Sequence, residues 1–114
     1  MGEPESPTEL VNVTVEAFES AQTRDGSADL GRFLPPRDHP HYLVVLCELV
    51  RVDLEYRWQR GQPNPLSHYG QLFPELFRDR QKAREVFYEE LRLRVQAGES
   101  VSPADYRAYD GWPA

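Results

Sequence analysis

His39-Pro40-His41, with His68 as a third imidazole, is the grouping whose residue types come nearest to a metal-ligand set. A zinc site takes three or four nitrogen, sulfur or carboxylate ligands in tetrahedral array, and the proline between two of the histidines works against that. They read as surface residues at a helix start, and no metal is expected. Cys47 is the chain's one thiol. It lies among apolar residues at helical spacing with no base arranged beside it, so it reads as a small buried hydrophobe rather than a nucleophile. Glu89 and Glu90 are adjacent carboxylates, but a paired-carboxylate mechanism works across a pocket and nothing in the sequence builds one. One solvated and one ion-paired residue is the expectation. Phosphate chemistry has no footing either, because there is no GxGxxG, no GxxxxGK[ST], no HRD and no DFG. The segment is expected to be non-catalytic and to need no cofactor.

The clearest ordered signal is an internal repeat. Shifting the chain by 37 residues lays Asp53-Leu54-x-x-Arg57-x-x-x-Gly61 on Glu90-Leu91-x-x-Arg94-x-x-x-Gly98, and Tyr69 on Tyr106. In both copies the acid precedes the arginine by four residues, the order that stabilises a helix. Asp53 with Arg57 and Glu90 with Arg94 are therefore expected as structural ion pairs, each arginine bracing a neighbouring short helix through its forked guanidinium. Recognition of a small anion by Arg57 and Arg94 is the functional alternative. Gly61 and Gly98 are read as helix stops, at the position where a left-handed residue ends a helix.

These residues need elements to hold them. The 114-residue chain carries 13 basic and 19 acidic residues, a net charge of −6, with 39% hydrophobic residues. That suits one small domain with a single core. A lone cysteine forms no internal disulfide, which points to a reducing, cytoplasmic setting. The longest apolar run, Tyr42 to Cys47, is far short of the roughly 18 residues a membrane helix needs. The first seven residues carry acids where a signal peptide has a basic region. Between Arg78 and Arg94 six basic residues are offset by four acids, leaving +2 locally. Nucleic-acid binding requires an uncompensated positive face, so it is not expected.

The pattern predicts an all-α fold, a small bundle of about five helices built from two repeats of long helix, glycine and short helix. Residues 1–7 are read as a disordered tail and 8–114 as one helical domain. Thr8 is the expected cap of a first helix over 8–23, where Val11, Val13 and Val15 also alternate as a strand would. A connector over 24–39 holds one helical turn between Asp29 and Leu34, ended by Pro35-Pro36. A second helix spans 40–60, with Pro40 in its first turn and Leu43, Leu46, Cys47, Val50, Leu54 and Trp58 facing the core. A short helix over 65–73 carries Leu66, Tyr69 and Phe73 and stops at Pro74. Asp79 caps a helix over 79–97 that buries Ala83, Val86 or Phe87, Leu91 and Val95. Ser102-Pro103-Ala104-Asp105 opens a last helix over 102–110 in the manner of a capping box.

The string Glu48-Leu49-Val50-Arg51-Val52-Asp53-Leu54-Glu55-Tyr56-Arg57-Trp58, then Gly61, Tyr69 and Phe73-Pro74-Glu75-Leu76, resembles a known helical region. That region precedes the catalytic domain in planctomycete-type bacterial serine/threonine protein kinases. Phe33-Leu34-Pro35-Pro36 upstream matches in order, as do Glu89 to Arg94, Gly98-Glu99 and Ser102-Pro103-Ala104-Asp105-Tyr106 downstream. The resemblance covers about residues 30–113. It departs at Tyr109-Asp110-Gly111-Trp112-Pro113, where such regions close on Arg-Phe-Pro. What it implies is a non-catalytic regulatory or docking module of a signalling kinase, binding the kinase domain in cis or a protein partner in trans. Tyr69, Phe73, Tyr106, Tyr109 and Trp112 are the candidate interface. Ser102, followed by proline, is a candidate phosphosite at a helix start. A stand-alone helical adaptor or small-anion sensor is the alternative reading.

Overall fold

Ser6 opens the first helix, its hydroxyl accepting from the Glu9 N–H at 3.1 Å with Pro7 behind it as the first helical residue. The computed structural model describes residues 6–102 and Ala104. Helix α1 runs Pro7–Asp25 and ends at Gly26, whose φ of 81° is left-handed and whose N–H reaches Gln22 O at 2.8 Å. The cap is Ser6 and not Thr8, because Pro7 is pre-set for the first helical position and lacks the N–H that would be orphaned there. The alternating valines are helical: Val13 is exposed, while Phe18, Ala21 and Gln22 at helical spacing are buried.

A 3-10 turn over Leu30–Phe33 follows, started by Asp29 accepting from the Gly31 N–H at 3.0 Å. Phe33 meets Phe18 edge-to-face with centroids 5.5 Å apart, tying the turn to α1. Helix α2 runs Tyr42–Gln59. It starts two residues later than the proline suggested, because Nδ1 of His39 takes the His41 N–H at 3.0 Å and makes a turn of His39-Pro40-His41. Leu46, Cys47, Val50 and Leu54 are buried as expected, and so are Tyr42, Val45, Leu49 and Asp53. The buried arc thus covers about half the circumference of α2. Leu43 and Trp58 are only half-buried.

Two units divide the chain, Met1–Val52 and Asp53–Ala114, so that α2 contributes its two halves to different units. In the second unit, α3 runs Leu66–Leu72, α4 Pro74–Arg78 and α5 Arg80–Gln96. Pro74 does stop α3, but it also starts α4 as its first residue, an element absent from the sequence reading. Leu76 on α4 is fully buried, and α4 packs against both α3 and α5. Asp79 caps α5 by accepting from the Lys82 N–H at 3.1 Å. Ala83, Val86, Phe87 and Leu93 form the apolar part of its buried face. Leu91 is half-buried and Val95 is 55% exposed, so the inward face turns towards Leu93 at the end of α5 and not along the expected line.

All described helices are α or 3-10, five α-helices in number, with no strand among the described residues. The all-α class is as the sequence predicts. The helix expected over 102–110 lies outside the described residues apart from Ser102 and Ala104. No described helix is long and apolar enough to cross a membrane.

Candidate functional site

The second unit buries a carboxylate. Asp53 is 3% exposed, and its Oδ2 accepts from the Tyr69 hydroxyl at 2.6 Å and from Arg57 Nε at 3.0 Å. Helix geometry places Asp53 and Arg57 one turn apart on α2, while Tyr69 comes from the middle of α3. The hydroxyl bond therefore joins two helices. Burial, then the charge of Asp53, then the hydrogen bond to it, all raise the Tyr69 phenol above its ordinary value. The His68 ring stands edge-on to the Tyr69 ring, centroids 5.3 Å apart.

The corresponding acid on α5 is also buried. Glu90 is 6% exposed, and Arg94 Nε lies 4.0 Å from Glu90 Oε1 and 3.6 Å from Glu99 Oε1. Both expected ion pairs are present, the first shorter than the second, and Glu99 was not foreseen as a partner. Each guanidinium thus already faces a carboxylate. Beyond them, the two helix ends share one turn geometry. Gly61 and Gly98 are left-handed, with φ of 73° and 88°, and the N–H after each glycine reaches the arginine's own carbonyl. Those bonds, Gln62 to Arg57 at 2.9 Å and Glu99 to Arg94 at 3.0 Å, close a Schellman-type helix end.

Glu89 is buried too, at 8% exposure, so neither of the adjacent carboxylates is solvated. Its partner is Arg92, which also binds Glu55 on α2 at 3.1 Å and Gln96 at 3.3 Å. The signal for this bridge was the two acids and the arginine at helical spacing. Its reach to Glu55, 37 residues away in sequence, could not be read from spacing along one helix.

Tyr69, expected at an interface, is 1% exposed and belongs to the core. Phe73, at the junction of α3 and α4, is half-buried, and Tyr106, Tyr109 and Trp112 lie outside the described residues. Among the described residues of the second unit, the large apolar side chains that are exposed are Leu72, Tyr88 and Val95. Ser102 is exposed. Cys47 is buried, at 1% exposure. His39 and His41 pair through the turn described above, and among the described residues no cluster of three His, Cys, Asp or Glu could hold a metal ion. An open depression on α1, lined by Glu16, Glu19, Ser20, Thr23 and Arg24, offers Arg24 already bound to Asp25 at 3.1 Å.

No protein-family model matches this chain, no curated protein matches it, and no solved structure matches its fold.

Proposed function

We propose that this chain is a non-catalytic regulatory or docking module that stands N-terminal to a bacterial serine/threonine protein kinase domain. The observation that carries this reading is the ordered set running from Phe33-Leu34-Pro35-Pro36 through Glu48 to Trp58, Gly61, Tyr69 and Phe73-Pro74-Glu75-Leu76. Its members are not scattered surface residues. Asp53, Arg57, Gly61 and Tyr69 are the residues that build the buried network and the helix end of the second unit. A pattern held by such contacts describes a fold, and the fold is what the resemblance carries over.

The module works through surface rather than chemistry. Leu72, Tyr88 and Val95 are exposed apolar side chains on α3 and α5, the kind of residue that gives a protein partner its contact area. The partner is the kinase domain in cis or a second protein in trans, in a cytoplasmic signalling setting.

Reading the source frame beyond Ala114 tests this first. A glycine-rich loop, a strand lysine, and HRD and DFG motifs are the expected result, followed by altered kinase activity when residues 1–114 are deleted. A stop codon, or kinase activity and partner capture both unchanged by deletion, would sink the reading.

A further inference from the structure

Arg80, Arg84, Tyr88, Leu91 and Val95 stand at steps of four, four, three and four residues along α5, which sets them on one stripe of the helix. Leu91 is half-buried and the other four are exposed, as is Arg78 at the end of α4. Among the described residues, none of Arg78, Arg80 and Arg84 meets a carboxylate, whereas Arg24, Arg51, Arg57, Lys82, Arg92 and Arg94 each do. Unpaired guanidinium groups in line with exposed apolar carbon suit a partner that is acidic and partly apolar. Helix α1 has that character. Glu9, Val13, Glu16 and Ser20, at steps of four, three and four, form one stripe, and Glu19 lies one turn on from Glu16. Glu9, Glu16 and Glu19 are exposed, and among the described residues none of them meets a cation; Val13 is 57% exposed. Arg24, which lines the α1 depression with Glu16 and Glu19, is held by Asp25 at 3.1 Å.

We propose that the exposed stripe of α5 takes α1 of a second copy of this chain, the two helices antiparallel and Val13 set against Tyr88. From Val13 the acids lie three residues on, at Glu16, and six on, at Glu19; from Tyr88 the arginines lie four residues back, at Arg84, and eight back, at Arg80. With a rise of about 1.5 Å per residue, these offsets bring Glu16 to Arg84 and Glu19 towards Arg80. Antiparallel alignment also sets the positive end of each helix near the negative end of the other. The two faces differ, so the contact is heterologous. It rests on charge pattern and exposure and not on the kinase reading.

The test is sedimentation equilibrium of the full chain at about 0.15 M salt, where a Debye length of about 8 Å screens the repulsion between copies of net charge −6 more than it screens contacts at ion-pair distance. The mean mass is expected to rise with protein concentration. E16R/E19R and R80E/R84E should each raise the dissociation constant at least about tenfold, and V13S, which changes no charge, should raise it too. An equimolar mixture of the two charge-reversed variants should form a 1:1 complex, because the first keeps its arginine face and the second its acidic face. Should a reversal unfold the chain, as circular dichroism would show, E16Q/E19Q and R80Q/R84Q remove the same charges and should weaken the association in the same direction. Association that survives the loss of either charged face, association unmoved by V13S, or a mixture that stays monomeric would each overturn the proposal. A wild-type chain that is monomeric at every concentration would overturn it as well, and would leave the α5 stripe to a different protein.

Discussion

The Tyr69 hydroxyl donates to Asp53 Oδ2 at 2.6 Å across 16 residues of sequence, and Arg57 Nε reaches the same oxygen from one turn further along α2. A buried carboxylate held by two donors is stable only while both remain, since removing either partner exposes the desolvation cost of what is left. Y69F should therefore cost about 1–3 kcal/mol in urea unfolding. D53A should cost more, because it strands both the hydroxyl and the guanidinium. The double variant should lose less than the two costs added, and strict additivity would show that the two side chains do not act together.

The same pair sets an alkaline limit. Burial, the charge of Asp53 and the hydrogen bond to it raise the Tyr69 phenol above its unfolded value of about 10. Above that pH the unfolded chain releases this proton while the folded chain keeps it, so the folded state binds more protons and stability falls as pH rises. The contribution is complete below about pH 10 and is lost progressively above it. Comparing urea midpoints of the wild type and Y69F from pH 8 to 11 isolates this residue: the wild type should fall more steeply above pH 10.

Gly61 and Gly98 are required for backbone and not for space, because a Cβ at either position would meet nothing within 4 Å. Alanine at each should cost roughly 1–2 kcal/mol, the penalty of a left-handed L-residue. Asparagine should cost less than alanine. Equal costs for G61A and G98A in thermal or urea unfolding would fit the shared turn, whereas a neutral result at either would contradict it.

The register of α5 gives a sharper contrast. Leu93 is 4% exposed and Val95 55% exposed. L93A should cost about 2–5 kcal/mol and V95A no more than about 0.5. A costly V95A would restore the face first read from the sequence.

At the start of α1 the same comparison separates two capping residues. S6A removes the acceptor of the Glu9 N–H and should cost about 1 kcal/mol, while T8A should be close to neutral. Circular dichroism melts of the two variants measure this directly.

Local chemistry explains what was legible. The cap Asp79, the left-handed glycines, the 3-10 turn after Asp29 and the i,i+4 acid-to-arginine pairs depend on residues within one or two turns of each other, so their types and spacing are sufficient. Position alone misled where a residue has two uses. Pro74 ends one helix and begins the next, and Pro40 sits in a turn that the His39 side chain closes. Tyr69 could be a surface anchor or a core residue by composition; only its contact with Asp53 decides between them.

From the order of its residues alone, this chain was committed to an all-α fold, to helix ends at Gly61 and Gly98 and to two acid–arginine pairs. Tertiary structure alone decided that Glu89 and Glu90 are both buried, that Arg92 reaches Glu55 and that the inward face of α5 passes through Leu93. Helix propensity, capping and turn geometry are settled within a few bonds of each residue. Which side of a helix loses its water depends on neighbours brought from elsewhere in the chain, and α4, the short helix begun by Pro74, is one of the neighbours that α5 packs against.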